Sequence, residues 1–273
     1  MGNAAKKAPV FANRPQEPMP DPVQLVALDR VPLVRPGDDL AALIGDALDR
    51  GEIVPRTGDV LVVAQKIVSK AEGRYVDLAT VMPSPRALAL AREIDKDARL
   101  VELILQESRR VVRHRPGVLI VEHRLGYVMA NAGIDRSNID PAAGDEPVLL
   151  LPRDPDASAL ALHARLAARF GAAMGVIVSD SFGRAWRRGT VGIALGAAGL
   201  PSLVDLRGRA DLYGRLLQVS ESGFADEVAA AASLLMGQAD EGVPAVLVRG
   251  LAWSAPAAPA AQLVRAEAED LFR

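Results

Sequence analysis

Short β-branched apolar blocks alternate along this chain with longer stretches in which apolar residues recur at helical spacing, and that alternation predicts the order of its elements. Residues 1–22 carry Pro9, Pro15, Pro18, Pro20 and Pro22 and no periodicity, so they read as a flexible N-terminal tail. VQLVAL (23–28) is a strand, VPLVRPGDD (31–39) a turn, and DLAALIGDALDRG (39–51) a helix capped by Asp38 or Asp39 and closed by Gly51. DVLVVAQKIV (59–68) reads as the next strand and SKAEGR (69–74) as its exit. Pro85 to Ser108 is helical with a break near Asp95. VLIVEH (118–123) and GYVMAN (126–131) are strands around a turn at Arg124 to Gly126. DPDASALALHARLAARFG (154–171) is an amphipathic helix with Asp156 as candidate cap, Ala159, Leu162, Leu166 and Phe170 on one face, and Gly171 at its end. Val176 to Val178 form a buried strand ending at Ser179 and Asp180. GRLLQVS (214–220) reads as a strand, FADEVAAAASLLMG (224–237) as a helix, PAVLVRG (244–250) as the last core strand, and APAAQLVRAEAEDLF (258–272) as a C-terminal helix. Strands and helices are mixed, without internal repeat and too irregularly for a strict βα alternation.

With 273 residues, half of them apolar, the chain can bury a large core. A net charge of −2 and a pI near 6.0 give no broad basic face for duplex nucleic acid, so none is expected as a partner. The absence of cysteine removes disulfides, thiolate nucleophiles and zinc ribbons. No apolar run reaches the roughly 18 residues of a membrane span, and MGNAAKKAPVFANRP lacks a signal-peptide core, so a soluble cytoplasmic protein is expected, with no membrane partner. Neither G-x-x-x-x-G-K-[ST] nor G-x-G-x-x-G occurs, which excludes a recognisable P-loop or Rossmann fingerprint. His114, His123 and His163 are too few and too scattered to suggest a histidine metal site or a Ser-His-Asp triad.

The remaining candidate chemistry is oxygen ligands and cations at loop junctions. Asp180 and Ser181 offer adjacent hard oxygens suited to magnesium or manganese, while Arg184, Arg187 and Arg188 offer forked donors for phosphate or carboxylate. Asp-Ser-x-Gly after a strand is equally a turn with an Asx cap. NAGIDRSN adds Asn131, Asp135, Ser137 and Asn138, with an Asx-rich loop as the plain alternative. Lys66 and Lys70 stand four apart, and either could meet a phosphate as a point charge. MGQADEGVP presents Gln238, Asp240 and Glu241 between turns, or else a solvated acidic loop. Trp186, between arginines, reads more readily as a packing anchor than as a stacking platform.

The colinear set VPLVRPGDDL, VVAQKIVSKAEGR, ESRRVVRHRPGVLIVEHRLGYVMANAGIDRSN, SDSFGRAWRRG, DLRGRADLYGR and MGQADEGVP closely resembles the coenzyme F420-0:L-glutamate ligase family, from about Val23 to Leu251. The fold expected is α+β, with mixed β-sheets, packed helices and two intertwined subdomains, roughly 23–100 plus 215–273 and 101–214, in one domain over 23–273. The resemblance implies a GTP-dependent ligase that adds L-glutamate to the lactyl carboxylate of coenzyme F420-0, a deazaflavin phosphodiester, through an acylphosphate, then extends a γ-linked tail. It implies a homodimer and two Mg2+ or Mn2+ sites, with K+ as a further candidate. By motif, Val31, Pro32, Leu33 and Val34 line the nucleotide, Gln65, Lys70 and Asn138 touch it, and Met236, Gly237, Gln238, Ala239, Asp240, Glu241, Gly242 and Val243 wrap it. Asp135, Asp180, Ser181 and Gln238 hold metal, and Lys70, Asp180 and Arg184 serve catalysis. Ser181 stands where many relatives carry threonine, Gln65 replaces a small hydroxyl residue, and the Gln238 amide is a weaker ligand than a carboxylate. A metal-dependent nucleotidase or phosphoryl transferase, or a non-catalytic GTP-binding module, are the alternatives.

Overall fold

The computed structural model describes residues 22–29, 31–139 and 143–271, so the expected tail over 1–22 lies, but for Pro22, outside the described residues. A five-stranded sheet in the order β1-β12-β2-β8-β9 organises the rest, formed by β1 (Gln24–Ala27), β2 (Val60–Ala64), β8 (Gly175–Gly183), β9 (Thr190–Ala198) and β12 (Ala245–Arg249). β2 and β8 run parallel, and the other pairs are antiparallel. Val60 to Val63 are fully buried because both faces of the sheet are covered. Leu61 and Val63 turn to α1 (Leu40–Arg50) and α5 (Pro155–Phe170), while Val60 and Val62 turn to α6 (Phe224–Met236). Each such apolar side chain contributes roughly 1.5–3 kcal/mol of burial. Glycine brings the helices close to β9: a Cβ on Gly196 would lie 2.0 Å from the Pro155 carbonyl oxygen, and one on Gly192 2.5 Å from that of Ala229.

A second layer of structure packs beside this sheet. The three-stranded sheet β4 (Ser108–Arg115), β5 (Val118–His123) and β6 (Val128–Ala130) carries α3 (Pro85–Ile94) and α4 (Ala98–Gln106) over a core of Ala87, Ile94, Val101, Ile104, Leu119 and Val121. β3 (Tyr75–Asp77) pairs with β7 (Pro147–Leu149), and β10 (Val204–Asp205) with β11 (Glu221–Ser222). The fold is α+β with parallel and antiparallel pairing, as expected. No helix among the described residues is long and apolar enough to cross a membrane.

Several elements depart from the pattern reading. The strand expected over 59–68 ends at Ala64, and Gln65–Ala71 is a helix, α2. Ile67 and Val68 suggested a strand, but both pack into the core from a helix whose Gln65 and Ser69 are bonded across one turn at 2.9 Å. β4 has no alternation because its arginines face solvent, two of them pairing with buried Glu122. Asp154, not Asp156, caps α5; the Asp156 carboxylate accepts instead from the amides of Ala197, Ala260 and Ala261. That anchoring, with Pro259, leaves the described part of the expected 258–272 helix, 258–271, as 3-10 turns at Ala260–Leu263 and Glu267–Glu269. GRLLQVS is not a strand but one side of an exposed arm, tied by an isolated bridge from Ala210 to Leu216, with Asp211 accepting from the amides of Tyr213 and Arg215.

The small sheet is pinned by Glu107, which is 7% exposed. Its carboxylate meets Arg74 at 3.1 Å and Arg124, and His123 Nε2 lies 3.6 Å away. His123 Nδ1 accepts from the Leu125 amide at 3.0 Å, so Nε2 carries the proton and faces Glu107. Burial alone would raise the Glu107 carboxyl, but the nearby His123 imidazole, the hydrogen bond from Arg124 and the charges of Arg124 and Arg74 outweigh it and hold it at about 2. A carboxyl depressed in the folded state contributes stability above its ordinary value of 4.5 that is lost as pH falls toward 2. Wild-type protein should therefore exceed Glu107→Gln in unfolding free energy at pH 6, and the part of that gap due to ionisation, roughly 3 kcal/mol, should close between pH 4.5 and 2 in denaturant titrations. A gap independent of pH would show that the charge is not what binds this junction.

Candidate nucleotide and cation site

In the β2–β8 register Ala64 stands opposite Ser179, so β2 stops while β8 continues to Gly183 against β9. Asp180 is thus not at the end of its own strand, as the apolar block suggested, but one residue past the end of the parallel pair. This is where α2 begins, with Gln65 near enough to the Asp180 carboxylate to act on it. Such carboxyl edges of parallel strands are where ligands enter a sheet packed by helices.

Asp180 faces a second carboxylate. Asp135, paired with Leu149 through a backbone bridge, lies close enough that its charge acts on Asp180. Burial pushes the Asp180 carboxyl up to about 6; the Asp135 charge adds to this, against the Ser181 amide, Lys66 and Gln65. Asp135 itself is held below its ordinary value. Burial would raise it, but Lys66 Nζ at 2.8 Å and the Ser137 amide at 2.7 Å outweigh that effect. Lys66 Nζ also donates to Ser137 Oγ at 2.7 Å. Four residues on, Lys70 Nζ donates to the Asn138 carbonyl at 2.7 Å, so one face of α2 holds the 135–138 loop by both lysines. Asn138 stands at φ 55 and donates its amide to the Ala239 carbonyl at 2.9 Å. Gln238 Nε2 donates to Ser181 Oγ at 2.8 Å, and Gln238 Oε1 accepts from Thr190 at 3.4 Å.

The structure thus gathers Gln65, Lys66, Lys70, Asp135, Asn138, Asp180, Ser181 and Gln238 from four separated segments. Met236 reaches back to Ser179, its sulfur 3.9 Å from the hydroxyl, and left-handed Gly237 and Gly242 bracket the 237–243 turn. Within it, Glu241 folds onto its own loop, accepting from the Ala239 amide at 2.8 Å, while Asp240 and Gly242 are exposed and Val243 packs against the core. Val31 and Val34 pack against the core behind α2, Pro32 and Leu33 are exposed, and the segment is tied there by the Gly37 amide on the Ala71 carbonyl. Arg184 lies farther out on the β8–β9 hairpin and bonds the Arg188 carbonyl. Lys66, rather than Lys70, is the lysine paired with Asp135; its place in the first turn after a buried strand was the available signal.

The donor set fits a hard divalent cation: two carboxylates and a hydroxyl converge, burial raises one carboxylate, and an ammonium group is paired with the other as a counter-charge. Asp180, Asp135 and Ser181 present oxygens. Gln238 presents its amide nitrogen to Ser181, so serving as a ligand requires the amide to turn over.

A family profile described as F420-0:Gamma-glutamyl ligase matches residues 29–250. The chain is similar to the coenzyme F420:L-glutamate ligase of Methanothermobacter thermautotrophicus, 48% identical over 231 residues, covering 85% of this chain and 90% of that one. It is 46% identical to the like-named protein of Methanopyrus kandleri, covering 90% of this chain and 97% of that one. Against that of Archaeoglobus fulgidus it is 42% identical, covering 92% and 96%.

A carboxylate that burial pushes up to about 6 is a liability to the fold. Asp180→Asn should raise the melting temperature of metal-free protein by a few degrees, corresponding to roughly 1 kcal/mol. The same variant should lose the stabilisation that manganese gives the wild type in calorimetric melts. Equal manganese responses in the two proteins would remove Asp180 from the cation site.

Proposed function

Because the chain belongs to the F420-0:gamma-glutamyl ligase family, we propose that it joins L-glutamate to the lactyl carboxylate of coenzyme F420-0 at the expense of GTP. The observation that carries this reading is the convergence of Asp135 and Asp180 with the α2 lysines at one sheet edge. A carboxylate is a poor electrophile, and making an amide from it requires an oxygen to leave as phosphate. Divalent cations held by Asp135 and Asp180, with Ser181 and Gln238 beside them, would neutralise phosphate charge as the phosphoryl group moves.

This chain's own groups do the rest. Lys70 supplies a fixed positive charge to the nucleotide phosphates once it releases the Asn138 carbonyl. The loop 237–243, bonded to Asn138, and the 31–34 segment behind α2 enclose the nucleotide. An oxygen of the acceptor carboxylate attacks the γ-phosphorus, the bond to GDP breaks, and an acylphosphate forms. The glutamate amine then attacks the acyl carbon, loses a proton, and expels inorganic phosphate. Apolar walls from Met236 and Val243 limit water, which would otherwise hydrolyse that intermediate. No nucleophile of the protein is needed. A homodimer belongs to the same proposal, and the exposed Leu212, Tyr213, Leu216 and Val219 of the 203–222 arm offer surface for a second copy to cover.

Purified protein incubated with coenzyme F420-0, L-glutamate, GTP and manganese should yield, by mass spectrometry, products heavier by successive glutamyl units. Asp180→Ala should lower that rate at least a hundredfold. GTP hydrolysis with unchanged acceptor would overturn the ligase reading in favour of a nucleotidase.

A further inference from the structure

Beyond Ser181 the β8–β9 hairpin closes through residues 184–189, and its tip holds Trp186 at φ +65 with 89% of its surface exposed. The packing role suggested by sequence does not apply. A bulky L-residue in the left-handed region is disfavoured, and burial of the ring does not compensate for it here. Held strain of this kind argues for a use outside the fold.

The neighbours say what that use is. Arg187 and Arg188 are exposed beside Trp186, and none of Arg184, Arg187 and Arg188 pairs with a carboxylate among the described residues. The turn is set by the Arg187 amide on the Arg184 carbonyl at 3.3 Å and by Arg184 on the Arg188 carbonyl at 3.4 Å. The base of the hairpin is tied to the reaction site, since Thr190 bonds Gln238 and Gln238 bonds Ser181. Gly183, opposite Thr190, lies about 7 Å along the strand from Ser181. An aromatic face and two forked cations thus stand a short tether from the carboxylate-activating centre. We infer that the hairpin tip is the acceptor's head-group subsite, where Trp186 stacks on a planar aromatic ring and Arg187 and Arg188 pair with the anionic tether between ring and reacting carboxylate. This rests on the ligase reading, whose acceptor is a deazaflavin phosphodiester.

The test is binding to the full chain, read from the fluorescence anisotropy of the deazaflavin itself, with whole coenzyme F420-0 and with the deazaflavin ring system lacking the phosphodiester arm. Trp186→Ala should weaken both ligands about tenfold, and Trp186→Phe should restore most of the loss. Arg187→Ala with Arg188→Ala should weaken only the whole coenzyme, and most at low salt. Trp186→Gly should bind as poorly as the alanine variant yet melt no lower than wild type, because glycine accepts φ +65 freely. Unchanged Kd values in Trp186→Ala, or a chain that binds normally but dissociates to a smaller species on that substitution, would overturn the subsite. Glutamyl addition by the wild type, measured separately, reports on the ligase reading alone, so either claim can fail without the other.

Discussion

The parallel pairing of β2 with β8 is the constraint on which the site depends, because its last rung, Ala64 opposite Ser179, sets the start of α2 beside the Asp180 carboxylate. Val60 to Val63 and Val176 to Val178 make that pair immobile by burying it on both faces. From this rigid end the lysines of α2 reach across to the 135–138 loop, and that loop in turn bonds the 237–243 turn. Every polar contact of the site thus refers back to one strand register. A slip of a single residue would turn Asp180 to the opposite face of the sheet.

Charge in this centre is balanced without being neutralised. Lys66 answers Asp135, and the second carboxylate stays desolvated beside it. A raised carboxylate at the sheet edge costs stability, which suits the cation and phosphate chemistry proposed for it. The Glu107 junction works in the opposite sense, with its carboxylate surrounded by Arg74, Arg124 and His123, and it secures the small sheet whose β6 leads into Asp135. The one cluster stabilises; the other is held ready.

Much of this was legible in the residues. The capped helix from Asp39 to Gly51, the break at Asp95 and the buried strands follow from capping and periodicity, and the structure keeps them. What escaped did so where tertiary contacts override local preference. Ile67 and Val68 look like strand residues and pack from a helix; β4 hides its pairing under arginines; and Asp156, a plausible cap, is drawn away to the amides of Ala197, Ala260 and Ala261. At the site, motif order singled out Asp135, Asp180, Ser181 and Gln238, and the fold brings them together. It could not foresee that Lys66 would pair with Asp135, since that depends on which turn of α2 faces the loop.

The central claim is that Asp135 and Asp180 share a divalent cation, for which the Lys66 ammonium stands in as counter-charge at Asp135. Anomalous diffraction at the manganese edge, from crystals grown with manganese and a non-hydrolysable GTP analogue, tests it most directly. The account predicts anomalous peaks about 2.1–2.3 Å from oxygens of both carboxylates, with the Lys66 ammonium turned away from Asp135 toward phosphate. An intact Lys66–Asp135 pair with no peak at either carboxylate would contradict it.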